Sequence, residues 1–181
     1  MPVSKNNSLK VWDLPVRLLH WSLVLCISAA WLTSSETGVQ HEYWGYGAAA
    51  IVTCRFLWGY LGNVYARFSQ FVRGTDDTLS YLRLVLRGQA PRYLGHNPLG
   101  GWMVLTLLLC VALLGVTGWA LNTDLLWGYA WPVRVHQTLG WSLLALIALH
   151  LGGVVFTSWQ HRENLVAAML SGRKPEQEQK Q

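Results

Sequence analysis

Four apolar runs of bilayer-crossing length, residues 16–33, 43–62, 99–121 and 135–159, constrain this chain more than any other feature. A helix needs about 20 such residues to cross a hydrocarbon core of ~30 Å. Small hydroxyl residues aside, the first run holds only His20 inside it, with Arg17 at its edge, and the fourth holds His136, Gln137 and His150. A soluble helical bundle would place charged side chains every few positions on its outer face, and these runs do not. The expectation is an all-α membrane protein, a bundle of four transmembrane helices.

The net charge of +5 would suit a nucleic-acid binder, but its distribution says otherwise. Lys5, Lys10 and Arg17 precede or open the first run, and Arg67, Arg73, Arg83, Arg87 and Arg92 separate the second from the third. Arg162, Arg173, Lys174 and Lys180 follow the fourth, so twelve of the fourteen basic residues fall on one side of a four-span topology. The opposite loops carry Glu36, Glu42 and Asp124 against Arg134. By the positive-inside rule both termini are expected in the cytoplasm. The charge is a topology signal, and nucleic acid is not needed to explain it. A cleaved leader is disfavoured, because the apolar stretch from 14 to 32 is too long for one and has His20 and Trp21 near its start.

Tryptophans supply a second frame. Trp31, Trp44, Trp127 and Trp131 cluster at the expected outer ends of the spans, and Trp12, Trp58, Trp102 and Trp159 near the inner ends, as in an aromatic belt. Trp21, Trp119 and Trp141 lie deeper. Between the second and third spans, Thr75, Asp76 and Asp77 read as a cap and acidic first turn. Leu79, Leu82, Val85 and Leu86 form the apolar stripe of a short interfacial helix that Pro91 should end. One domain is expected over residues 1–174, followed by a polar, disordered tail over 175–181.

The histidines carry the chemistry. His136 and His150 are fourteen residues apart, roughly 21 Å of helical rise and ~40° short of four full turns, so both project from nearly one face. His41 opens the second run on the outer side, and His20 lies near the inner start of the first. Topology therefore sorts four histidines into two pairs at matching depths, His41 with His136 and His20 with His150. Imidazoles inside a membrane are costly unless something binds them. Structural zinc normally takes four ligands, often with thiolate, whereas each depth here offers two imidazoles and no acid. Two axial nitrogens suit a six-coordinate haem, which would shuttle electrons because no position at iron stays open. Cys26, Cys54 and Cys110 form no C-x-x-C-H motif, so the haem should be non-covalent.

Glycines follow both outer histidines by four residues, at Gly45 and Gly140, and Gly152 and Gly153 follow His150. They would clear space for a flat ring or serve helix packing, two readings of equal weight. Haem propionates need cationic partners. Arg17, Arg134 and Arg55 are the candidates, with snorkelling to the interface the competing reading for Arg55. His96 and His161 are expected at the inner interface outside the pairs, either as plain interfacial residues or in proton exchange with a quinone.

These residues resemble a known family. VWDLPVRLLHW at 11–21, HEYWGYG at 41–47, CRFLWGYLG at 54–62, RYLGHNPLGGWM at 92–103, VHQTLGWSLLALIALH at 135–150 and HRENLVAAMLSGRK at 161–174 are similar to the bacterial cytochrome b561 family. That family is grouped with the b-type cytochrome subunits of nickel–iron hydrogenases. The resemblance implies His20, His41, His136 and His150 as ligands of two haems b, four transmembrane helices, and electron transfer between quinone and a redox partner. The expected function is electron transfer across a bacterial cytoplasmic membrane between the quinone pool and a periplasmic c-type cytochrome or enzyme subunit. Lipid is the solvent, and a homodimer is compatible with the reading. Two alternatives stand beside it: a superoxide (or other small reductant):quinone oxidoreductase acting without a protein partner, and a haem carrier or structural membrane subunit.

Overall fold

The computed structural model describes residues 8–35, 39–126 and 128–175. Lys5, Glu36, Trp127, Lys180 and the tail from 176 lie outside the described residues, and so do the readings that rest on them. Strand β1 (Ser8–Lys10) leads into helix α1 (Leu14–Leu32), then α2 (Gln40–Leu61), the one-turn α3 (Phe68–Phe71) and α4 (Thr75–Leu86). Helix α5 (Pro98–Leu121), a 3-10 turn (Asp124–Leu126), α6 (Ala130–His161), α7 (Leu165–Ser171) and strand β2 (Arg173–Pro175) complete the chain.

Local chemistry sets the long helices. The Asp13 carboxylate accepts the Val16 N–H at 2.9 Å, with Pro15 in the first turn of α1. The Asn97 side chain accepts the Gly100 N–H at 2.7 Å, with Pro98 opening α5. Both starts therefore combine a polar N-cap with a proline whose missing N–H costs nothing in the first turn. Asp13 also accepts the Trp58 indole N–H at 3.0 Å, which pins the start of α1 to the end of α2.

Helices α1, α5 and α6 are long and apolar enough to cross a membrane. Helix α2 has 22 residues but falls short in hydropathy, since it carries Glu42, Arg55 and several tyrosines. It packs against α1 on one side and α5 on the other, and α5 packs against α6. A helix with neighbours on two sides needs less apolar surface than one facing lipid. The 32 residues of α6 run well beyond the expected 135–159, and only 6% of its most apolar stretch is buried inside the protein. Neither α1 nor α2 packs along α6. The main core joins Cys26, Ala48, Val52, Phe68, Phe71, Leu108, Val111 and Leu143.

Several expectations need correction. Gly74, not Thr75, occupies the N-cap of α4, and Thr75 is its first helical residue. The helix ends at Leu86 with Gly88 in a left-handed conformation (φ 69°), so glycine rather than Pro91 stops it. The short elements α3, α7, β1 and β2 carried no clear periodic signal. Strands β1 and β2 pair antiparallel, Leu9 opposite Lys174, and the Gly172 carbonyl accepts the N–H groups of Val11 and Trp12 at 2.9 and 3.1 Å. The two chain ends are thus clasped together. Lys174, which counted above as a free topology charge, is buried, and Pro175 belongs to β2 rather than to a disordered tail. Its ammonium meets Glu163 at 3.4 Å, and Arg92 pairs with the same carboxylate.

Gly101 lets α3 lie directly on α5. A β-carbon there would sit 2.5 Å from the Phe71 carbonyl oxygen, a backbone atom that cannot rotate away. Gly101→Ala is expected to cost about 1–3 kcal/mol of stability through overpacking. The thermal unfolding midpoint in detergent checks this, and an unshifted midpoint would contradict it.

Candidate functional site

His41 lies in the first turn of α2 and His136 in the second turn of α6. Their rings face each other with centroids 6.0 Å apart and planes at 83°. Two imidazoles bound to opposite sides of one metal ion, each at about 2 Å, place their ring centres roughly 6 Å apart. The spacing fits.

Hydrogen bonds engage Nδ1 of each ring. His41 Nδ1 lies 2.7 Å from the Ala30 carbonyl, which can only accept, so Nδ1 carries the proton. His136 Nδ1 lies 2.9 Å from the Thr117 hydroxyl, which donates its own proton to the Leu113 carbonyl at 2.8 Å. With that proton on Leu113, the hydroxyl is placed to accept from His136 Nδ1–H. Both Nε2 lone pairs remain available for a metal, the arrangement by which protein metal sites orient their histidines. Neither partner was visible in the linear reading, because both depend on how α1 and α5 are rotated against the ligand helices.

A cavity of about 200 Å³ opens beside this pair, lined by His41, Gly45, Tyr46, Gly115, Gly118 and His136 among others. Gly45 faces open space, as a ring-clearing glycine should. Gly140 does not: a β-carbon there would contact Trp31 at 3.6 Å, so its role is packing. Gly118 takes the place expected of Gly140, since a β-carbon on it would press the His136 ring at 3.3 Å. Asn122 donates to Glu42 and Tyr46 at 3.0 and 3.2 Å, tying α2 to the end of α5.

His20 and His150, on α1 and α6, are half-buried and within electrostatic range of each other. They are brought near without the ring-to-ring contact of the outer pair. Arg55 is buried on α2, its guanidinium 5.3 Å above the Phe68 ring. One of its nitrogens donates to the Ala66 carbonyl at 3.2 Å, and Nη1 has no partner. A guanidinium buried to 7% exposure is not snorkelling. Arg17 donates to the Leu170 carbonyl at 2.8 Å and so serves the terminal clasp, although its buried Nε stays free. Arg134 is exposed.

His96 departs from expectation. Its ring is wedged between Trp12 and Phe71, with centroids at 4.8 and 4.6 Å, and its buried Nδ1 has no partner. Burial, together with positive charge from Arg55 and Lys174, pushes its pKa down to about 3, so the ring is neutral at physiological pH. Spacing gave no hint of this, because Trp12 and Phe71 reach it from distant parts of the chain.

Among the described residues, no three of His, Cys, Asp and Glu converge on one point that could hold a metal ion. The donor set is two imidazoles at a time, on long helices, with Nδ1 engaged at His41 and His136. That donor set suits axial haem ligation, and the molecule falls in the class of membrane b-type cytochromes. Residues 11–172 match the family described as prokaryotic cytochrome b561, and the chain belongs to that family. Curated relatives described as "Probable Ni/Fe-hydrogenase B-type cytochrome subunit" come from Rhizobium leguminosarum bv. viciae and Rhodobacter capsulatus. The first is 24% identical, covering 94% of this chain and 90% of its own length, and the second is 25% identical, covering 95% and 83%. A third, from Azotobacter vinelandii, is 25% identical with 94% and 90% covered. No solved structure matches. The protein is a bacterial membrane cytochrome of electron transport.

Thr117 is then a positioning residue for His136. Thr117→Val keeps the shape and removes the acceptor, and second-partner losses of this kind typically weaken metal-group retention roughly 10- to 100-fold. If His136 holds a haem, loss of that haem to an apoprotein acceptor should accelerate. An unchanged rate would mean that packing on Gly118 alone holds the ring.

Proposed function

We propose that this protein carries electrons across the bacterial cytoplasmic membrane through two bis-histidine haems b. His41 and His136 hold one haem, and His20 and His150 hold the other. Helix α2 serves as the fourth span, both termini lie in the cytoplasm, and the exchange partners are quinone on one side and a periplasmic redox protein on the other. The bound haems supply one-electron redox chemistry with no open coordination position.

The observation that carries the reading is the outer pair, two imidazoles 6.0 Å apart with each Nδ1 tied and each Nε2 free. Two further features support it. Helix α6 meets α1 and α2 through side chains, Trp141 against Trp31 and His136 against His41, and not along close-packed backbones. Arg55 keeps an unpartnered donor deep in the inner half, where an anionic propionate would satisfy it. The relatives' description favours an enzyme subunit, such as that of a hydrogenase, as the periplasmic partner.

The protein's own residues orient the ligands, exclude water with apolar side chains and keep the two sites at different depths. On α6 the two ligand positions are fourteen residues apart, roughly 21 Å of rise. That separation lets electrons enter near one face and leave near the other. The test is a dithionite-minus-ferricyanide difference spectrum with haem counted per chain. About two low-spin haems per chain, both reduced by quinol, support the proposal. A colourless protein, or a single haem, would overturn it.

A further inference from the structure

Two buried nitrogen atoms near the Arg55 end of α2 form a set that suits an anion. Arg55 Nη1 and His96 Nδ1 are both buried and both lack a partner. The charged and titratable groups acting on His96 are Arg55, Lys174, His150 and His20, and no carboxylate is among them. The nearby acids are engaged elsewhere. Asp13 caps α1 and holds the Trp58 indole, though its charge also reaches Arg55, and Glu163 pairs with Arg92 and Lys174. A buried polar atom left unsatisfied costs free energy, and a free guanidinium donor beside an unpartnered imidazole nitrogen suits a carboxylate.

We propose that Arg55 and His96 form one carboxylate-binding site that takes a propionate of the inner haem, with His96 Nδ1–H as a donor. This rests on the reading that His20 and His150 hold a haem. Trp12 and Phe71 both pack against the His96 ring, so its orientation is restricted before the ligand arrives and little side-chain entropy is lost on binding. His96 does not ligate iron. It holds the edge of the ring system, and His20 and His150 hold the centre.

The experiment loads haem-depleted membranes with either protohaem or its dimethyl ester, in which both propionates are neutral and cannot ion-pair. Wild-type protein should hold both protohaems, and His96→Leu should release one of them roughly tenfold faster or more. The outer haem, retained at its normal rate in the same molecules, reports that the variant is folded. With the dimethyl ester, wild type should lose the inner haem as fast as the variant does, and His96→Leu should add nothing further. His96→Gln, which keeps an N–H donor, should recover part of the retention, and Arg55→Gln should behave like His96→Leu.

A His96→Leu effect of equal size with both haems would show a packing role and overturn the proposal. No effect with either haem would overturn it as well. A wild-type chain that never takes a second haem would defeat the underlying two-haem reading and the proposal together, and is told apart from the other failures by the haem count alone. Should inorganic phosphate slow haem loss in the ester-loaded protein as strongly as propionates do, the site is a general anion site rather than a propionate site.

Discussion

Alanine at His136 or His41 is expected to remove one haem and leave the other in place, halving the haem content per chain. His20→Ala or His150→Ala should remove the remaining one. The reason is geometric. A six-coordinate site needs both axial nitrogens, and a porphyrin held from one side only loses low-spin coordination and most of its retention. The His41→Ala/His136→Ala double variant should be no worse than either single change, because both act on one site. The His41→Ala/His20→Ala double variant should be colourless. Haem counting and the low-spin absorption bands decide this. Four variants that each keep two haems would dismiss the ligand assignment.

Glu163→Ala carries the largest expected stability loss. The carboxylate, 3% exposed, is shared by Arg92, which is 21% exposed, and by Lys174, at 4%. Removing it leaves a buried ammonium whose remaining bond is to the Tyr93 carbonyl at 3.2 Å. Breaking a buried ion pair from one side typically costs about 3–5 kcal/mol, and the partial exposure of Arg92 argues for the lower part of that range. The loss should be local first. Strand β2 would detach from β1, exposing the 172–175 segment to protease before the helices unfold. Glu163→Ala/Lys174→Ala should recover stability relative to the single change, since the stranded charge is gone. A single variant that unfolds with wild type would show the network to be solvated.

The helices were legible because their cause is local. An apolar run of about 20 residues in lipid must satisfy its backbone internally, which accounts for α1, α5 and α6. Asp13 with Pro15 and Asn97 with Pro98 mark their helix starts within a few residues of chain. Helical rise put His41 and His136 at one level of the bundle, and the structure sets their rings 6.0 Å apart. Gly140 packs on Trp31, one of the two readings its spacing allowed, and the contact between Gly118 and the His136 ring went unread. Which face of a helix meets which neighbour depends on rotation about its axis, and composition does not encode that angle.

The terminal clasp shows the limit from the other direction. Lys10 pairs with Arg173 across β1 and β2, and Glu163 meets Arg92 from 71 residues away. No periodic pattern announces a three-residue strand or a buried ion pair of that separation. From composition and spacing came the helices, their order and the spacing of the four histidines along them, because helical rise acts on every residue alike. Folding in three dimensions added the tautomers of His41 and His136, the unpartnered donors of Arg55 and His96, and the ion network that locks the ends. Those properties belong to contacts between distant segments, and each exists only once the helices have taken up their mutual rotation.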